Sequence, residues 1–396
     1  MKKLYIASVI IFMLPIVFFS LFSIFDSDRI FSDSENRELA TCPDFTLESF
    51  TSGEFRSGFE SYYNDQFPMR EEFLGVAKTF MSGFYPTFFI KDEDATTVNG
   101  KLIYNGRVTE IYKISDDTTK RFAKVVNDLT ALCGNPETFV LIPTPPYSLY
   151  APEKEVRAEN KFIHSLMLLK NELDSARLID LTNAFADNKD EYLFFKTDHH
   201  WTARGAYLAA RELVKADGGA LPDLEEYKSG KREGFFGSLY KSIKDNPISS
   251  VLEKSADTVE YFFPKTKCEL TVYSSLKAEG EKRELLYPDY DRNTNLYHIY
   301  MGGDIALGHI KTELKNGKSV MVVRDSYGHA FIPFLVDAYE DIYFVEPRYF
   351  DGGGNKFDLA AFFKEKEIDT LVFLSYPNMA IGSYWNTFSS YLEYMK

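Results

Sequence analysis

Between Ser319 and Leu374, short apolar runs alternate with stretches of helical periodicity. Ser319 to Arg324, Ile342 to Val345 and Thr370 to Leu374 have the length and content of buried strands. His329 to Tyr339 and Asp358 to Lys366 between them read as helices. A strand that is apolar along its whole length has both faces covered, which is the condition inside a parallel sheet flanked by helices. The rhythm also appears earlier, with strands at Thr138 to Ile142 and Leu178 to Leu181 and helices at Lys161 to Arg177 and Gly205 to Ala216. The chain is therefore expected to be α/β, built on a parallel sheet covered on both faces.

Three regions depart from that rhythm. Residues 218–316 are rich in Gly, Lys, Ser and Tyr with short alternating runs such as Val259 to Phe263 and Leu270 to Ser274. They are expected to form an inserted, mostly β subdomain beside the sheet. Residues 27–95 read as a membrane-proximal helical stalk. Phe55, Phe59, Tyr62 and Tyr63 fall at helical spacing, Pro68 breaks the run, and Met69-Arg70-Glu71-Glu72 begins another helix. Val98 to Tyr104, with Asn99-Gly100 at its turn, is a hairpin pattern. Residues 1–26 set the expected compartment. Met1-Lys2-Lys3 precedes Leu4 to Phe25, 22 residues without a charge. At about 1.5 Å per residue such a helix crosses a bilayer core of roughly 30 Å. The two lysines place the N-terminus in the cytoplasm and everything after Phe25 outside, as an uncleaved single-pass anchor. The catalytic region then divides into 96–217 and 317–396.

The chain carries a net charge of −14. That sign disfavours nucleic acid and anionic lipid as partners; solubility alone accounts for it, and it also suits a neutral or amine-bearing substrate. Cys42, Cys133 and Cys268 are odd in number and widely spaced, so no disulfide framework is expected.

Two of the six histidines and one of the two tryptophans stand together in Thr197-Asp198-His199-His200-Trp201. The string follows an apolar run (Tyr192 to Phe195) and precedes a helix capped by Thr202. In an extended turn, residues two apart face the same side, so Asp198 and His200 share a face and His200 is the expected base. A carboxylate fixes the tautomer of such a histidine, and the pair needs a nucleophile. In open parallel sheets chemistry gathers at the carboxyl ends of strands. There the run Ser319 to Arg324 enters Asp325-Ser326-Tyr327-Gly328 and then a helix. Ser326 is the expected nucleophile, with backbone N–H groups of the helix start available to an oxyanion. Two other strand ends carry Arg348 and Asn378, which can donate hydrogen bonds to the same charge. Tyr327 and Trp201 are further candidates for contact with substrate, and Trp201 is open between lid, sugar platform and packing.

These residues resemble the DHHW family, named for Asp198-His199-His200-Trp201 as they stand here. They are also similar to the alginate O-acetyltransferase-type proteins, which carry an Asp-x-His-Trp string and a later serine. The resemblance takes in the N-terminal apolar stretch and the Asp65-Gln66-Phe67-Pro68-x-Arg70 segment as well. It implies a three-layer SGNH-hydrolase-like fold whose Asp and His precede the serine, as Asp198 and His200 precede Ser326. It implies that Ser326, His200 and Asp198 form a triad, with Arg348 standing for the block glycine and Asn378 for the block asparagine. The activity implied is O-acyl transfer, acetyl transfer above all, to a cell-surface or exported polysaccharide, with a membrane-bound O-acyltransferase as donor partner.

Rival expectations remain at this level. A deacetylating carbohydrate esterase would use the same triad. A metal-dependent phosphoesterase is the second class, because Asp-His-His recurs at manganese sites. It would need further clusters, and His164, His298, His309 and His329 are scattered without metal-ligand spacing. A non-catalytic glycan-binding protein is the third. No metal or cofactor is expected for the triad.

Overall fold

The computed structural model describes residues 12–14, 17–19, 21–23, 26–32, 37–52, 54–70, 72–73, 76, 95–98, 100–111, 114–151, 161–244, 246–274, 279–290, 295–350, 356–382, 392–393 and 395–396. Its centre is one eight-stranded sheet. The strands are β1 (Glu137–Leu141), β2 (Arg177–Ile179), β3 (Cys268–Tyr273), β4 (Glu281–Arg283), β5 (Leu307–Thr312), β6 (Ser319–Arg324), β7 (Asp341–Val345) and β8 (Thr370–Leu374). Their order across the sheet is β4-β3-β5-β7-β6-β8-β1-β2. From β7 to β2 every pairing is parallel. β6 lies inside this half between β7 and β8, with Val322 opposite Phe344 on one side and Val372 on the other.

Both faces are covered, and β6 shows how. Val320 and Val322 belong to one core with Trp201, Phe331 and Val372, while Met321 and Val323 belong to the other with Leu129, Leu166 and Phe373. Side chains alternate across a strand, so a run that is apolar at every position feeds two cores at once. The first core is closed by helices α3 (Ala203–Ala216) and α4 (Gly328–Leu335), the second by α1 (Asp116–Leu132), α2 (Lys161–Glu172) and α5 (Leu359–Glu365). Ser115 caps α1 by accepting from Thr118 N, and Thr202 caps α3 by accepting from Gly205 N. The start of α3 also lies against the chain before it: a Cβ on Gly205 would sit 2.4 Å from Leu193 O. A glycine is what allows helix and loop to touch there.

The sheet is mixed, which corrects the expectation of a purely parallel one. β5 pairs antiparallel with β7, β3 with β5, and β4 with β3. The reason lies in what connects the strands. A parallel neighbour needs a crossover, usually an α-helix, and among the described residues no α-helix lies between Cys268 and Thr312. Of residues 218–316, then, β3 to β5 extend the main sheet, and Lys228–Phe235 pairs with Asp257–Phe263 as a separate hairpin.

The hairpin expected at Asn99-Gly100 is present. Ala95–Val98 pairs with Lys101–Tyr104, which pairs in turn with Arg107–Glu110. Within residues 27–95 a helix spans Glu54–Asp65 and ends before Pro68. The expected helix from Met69 falls largely outside the described residues, as does most of the apolar stretch from Leu4 to Phe25, which is helical at 12–14, 17–19 and 21–23. Among the described residues, no helix is long and apolar enough to cross a membrane. The three cysteines are free thiols.

Candidate active site

Residues 193 to 202 form a closed loop on the first core. Thr202 N donates to Leu193 O (2.9 Å) and Phe195 N to His200 O (3.3 Å), while Phe194 bridges Trp201. A buried carboxylate anchors the loop from the inserted hairpin. Asp257 Oδ1 accepts from Lys196 N (2.6 Å), and Oδ2 accepts from Thr197 N (2.8 Å) and the Thr197 hydroxyl. From the other side, Arg107 donates to Phe194 O and Phe195 O (3.1 and 2.8 Å). The loop therefore owes its shape to residues 61 and 88 positions away.

Within this frame Asp198 and His200 meet as their spacing implied. His200 Nδ1 lies 2.6 Å from Asp198 Oδ1, which also accepts from His200 N at 3.0 Å. Asp198 Oδ2 accepts from Ser238 N at 2.8 Å. The other ring nitrogen, Nε2, lies 2.8 Å from Ser326 Oγ. The structure thus brings Asp198, His200 and Ser326 into one hydrogen-bonded line.

Electrostatics assigns the protons. Burial pushes the Asp198 carboxyl up, but the His200 and His199 rings, the bond from His200 and the Ser238 N–H outweigh it, and the group lies well below the usual carboxylate range. Burial, reinforced by His199 and opposed by Asp198, pushes the His200 imidazole down to about 4. Asp198 is therefore charged and His200 neutral at neutral pH. With Nδ1–H donated to the carboxylate, Nε2 accepts the Ser326 hydroxyl proton.

Ser326 stands where β6 passes into α4. Asp325 is fully buried beneath it and shapes the turn: Oδ1 accepts from Tyr327 N (2.9 Å) and Oδ2 from Tyr376 N (2.5 Å). Burial pushes its carboxyl up to about 6. Gly328 N donates to Asp325 O and His329 N to Ser326 O. The N–H groups of Tyr327, Gly328 and His329 are thus all engaged within the turn. Of the amides at the helix start, the expected oxyanion donors, these three already have partners, whereas that of Ser326 itself is not engaged in the turn.

Arg348 and Asn378 occupy the neighbouring strand ends. Glu346, fully buried, accepts from Arg348 Nε and Nη2 (3.0 and 3.1 Å) and pairs with buried Arg324 at 3.4 Å. The Glu346 carboxylate holds the Arg348 guanidinium charged, and the charge of Arg348 in turn lowers the pKa of the Asp325 carboxyl. Asn378 is buried in the short helix Pro377–Ala380, its Oδ1 close against Gly382. The two remaining candidates are internal. Trp201 is fully buried, donates from Nε1 to Tyr327 O (3.0 Å) and stacks on Phe331. Packing is what it does. Tyr327 is equally buried, and its hydroxyl donates to His199 O. Together they tie the histidine loop to the serine turn.

Sequence reasoning missed four residues here. Tyr297 stacks on the His200 ring (centroids 3.9 Å apart, planes at 12°) and donates from its hydroxyl to Ser326 O at 3.1 Å. It touches base and nucleophile at once. Ser238 supplies the N–H on Asp198, and its hydroxyl lies 2.6 Å from His199 Nδ1. Gly237 is needed for room, because a Cβ there would lie 2.2 Å from Asp198 Cβ. Asp257 is the fourth. Only the Gly237-Ser238 pair carries a local signal, that of a turn. A Gly237→Ala variant is expected to lose about 1–3 kcal/mol of stability from overpacking. It should also push Asp198 off His200, so denaturation midpoint and serine reactivity fall together.

Among the described residues, Asp198, His199 and His200 are also a group whose donor atoms lie within 4.8 Å of one another, as a metal site requires. Both Asp198 oxygens and His200 Nε2 already have hydrogen-bond partners. A cation would have to displace the Nδ1–H that fixes His200.

The family model described as DHHW protein matches residues 157–345, a span that includes the histidine loop and Ser326. The likeness is to the DHHW family. A DHHW family protein from Eubacterium siraeum DSM 15702 is 25% identical, with a TM-score of 0.65 over 76% of this chain and 97% of that one. Bacillus cereus PatB1, in a structure with a sulfonyl adduct, is 15% identical, with a TM-score of 0.59 over 75% of this chain and 100% of that one. A second PatB1 structure is 18% identical, with a TM-score of 0.57 over 73% and 97%. At these identities the likeness to PatB1 is one of fold. No curated protein sequence matches the chain. The resemblance to DHHW proteins read from Asp198 to Trp201 is borne out.

Proposed function

We propose that this chain is a serine O-acyltransferase that carries an acyl group, acetyl by preference, to a glycan outside the cell membrane. The observation that carries the reading is the line Asp198–His200–Ser326, with 2.6 and 2.8 Å between successive partners. His200 takes the hydroxyl proton as Ser326 Oγ attacks the acyl carbonyl, and Asp198 steadies the imidazolium. The same proton returns to the leaving alcohol, giving acyl-Ser326. A sugar hydroxyl, deprotonated by His200, then takes the acyl group and frees the serine. Water in place of the sugar makes the protein an esterase, and the ratio of the two products measures which it is. Arg348, fixed by Glu346, and Asn378 are the side-chain donors assigned to the oxyanion, beside the amide of Ser326, since the amides of Tyr327, Gly328 and His329 are engaged. The uncharged stretch Leu4 to Phe25 supports an anchor with the site outside, where a membrane-bound acyltransferase can supply the acyl group.

Incubation of the full chain with a fluorophosphonate tests the serine. The expected result is one adduct, on Ser326, absent from Ser326→Ala. An unlabelled wild type, or equal labelling of the variant, overturns the reading. The Asp198, His199 and His200 donor cluster favours a metal phosphoesterase as the second reading, and phosphoesterase activity lost to EDTA and restored by manganese would select it.

The pH profile follows from His200. Serine reactivity needs the neutral ring, and burial lowers its pKa to about 4, so the acid limb of the labelling rate should lie near pH 4. An ordinary histidine would place that limb at about 6.5. The rate should therefore stay on its plateau at pH 5.5. Stability responds at higher pH than the rate does, for the same reason. Between those two values the unfolded chain binds a proton that the folded chain refuses, so stability is lost as pH falls through that window.

A further inference from the structure

A cavity of about 750 Å³ opens between the antiparallel edge of the sheet and the segment 302–306. Its walls include Glu279, Glu281, Arg283, Asp304, Arg348 and Tyr290. It adjoins the candidate active site through Asp304. That carboxylate lies 3.4 Å from Nε2 of His329, three residues beyond Ser326, and its charge acts on His200.

The charges in this cavity do not balance. Arg283 is paired with Glu281 at 3.1 Å, and Arg348 is held by both oxygens of Glu346. Glu279 is exposed. Among the described residues, Asp304 has an ion-pair distance only to His329, acts at longer range on Arg348, which Glu346 already pairs, and has a side chain 45% exposed. His329 is 1% exposed, and among the described residues neither ring nitrogen has a hydrogen-bond partner. Burial and the nearby cations hold it uncharged, so it does not neutralise Asp304. Buried polar groups are normally satisfied, and one left open beside an exposed carboxylate marks a place where a ligand's polar group completes the set.

We propose that this cavity is the acceptor site, and that Asp304, backed by His329, receives a hydrogen-bond donor of the acceptor. The acceptor is then a neutral or amine-bearing saccharide, and a polyuronate is excluded because its carboxylates would meet Asp304 and Glu279. The proposal deepens the reading of Ser326 as the acyl carrier and rests on it for the word acceptor. Binding itself does not depend on that chemistry.

The test is calorimetric binding of three hexasaccharides to full-length Ser326→Ala: glucosamine, glucose and galacturonate oligomers. Glucosamine is expected to bind at least tenfold more tightly than galacturonate, with glucose between them. Asp304→Lys should reverse the order. Glu253→Lys makes the same charge change at an exposed residue outside the cavity and should leave the order intact. Galacturonate binding as tight as glucosamine, no binding of any of the three, or an equal effect of Glu253→Lys overturns the proposal. Absence of fluorophosphonate labelling in the wild type would overturn the serine reading instead, so the two failures are separable.

Discussion

Turnover of an acyl ester is expected to fall about 10⁴- to 10⁶-fold when Ser326 is replaced by alanine, a loss of roughly 5.5–8 kcal/mol of transition-state stabilisation. The size follows from the isolation of this hydroxyl. Of the serines nearby, Ser238 has its hydroxyl at His199 and Ser375 is turned to Asp325. Neither stands at His200 Nε2, so no second nucleophile substitutes. What remains after the change is whatever binding and fixed donors do for attack by water. The fold should hardly notice. Oγ makes one bond, to a ring that Tyr297 and Asp198 still hold, and a single hydrogen bond contributes about 0.5–1.5 kcal/mol net. Steady-state kinetics beside a denaturation curve checks both halves. A loss below tenfold in turnover, with an unchanged midpoint, would remove Ser326 from the chemistry.

How much of this was legible in the sequence depends on the range of the interactions involved. The strand β6 and the turn after it are local: alternation of side chains across a doubly buried strand makes Ser319 to Arg324 readable, and Asp325 shapes its own turn. The pairing of Asp198 with His200 is local too, since a two-residue step in extended backbone brings them together. The rest depends on contacts that no short window contains. Tyr297 reaches Ser326 across 29 positions and Asp257 reaches the loop across 60 or more. The mixed character of the sheet was hidden for a related reason. The strands in 268–312 were visible, but whether they lay beside the sheet or on its edge is set by which edge of β7 stays free. The engagement of three turn amides was hidden too, because sequence does not show that the Asp325 side chain folds back onto Tyr327 N.

Asp198→Asn should cost about 10⁴-fold in turnover, in line with the loss of tautomer control in other triads. Here the neighbouring backbone makes the argument sharper. The two carboxylate oxygens face donors on both sides, His200 Nδ1–H and N–H on one and Ser238 N–H on the other. An asparagine must turn its NH₂ toward one of them. If the amide oxygen faces His200, the NH₂ opposes Ser238 N–H at a buried position, donor against donor. If the oxygen faces Ser238, the NH₂ meets His200 Nδ1, which must then give up its proton to become an acceptor. The ring takes the Nε2–H tautomer, and that nitrogen donates to Ser326 where it should accept. Satisfying the backbone therefore disables the base. Nitrogen-15 NMR of the His200 ring reads the tautomer directly, and acyl ester kinetics reads the consequence. Nε2 protonated and turnover down about 10⁴-fold is the expected pair of results. Turnover within tenfold of wild type, with Nδ1 still protonated, would show that the carboxylate does not set the orientation of this histidine.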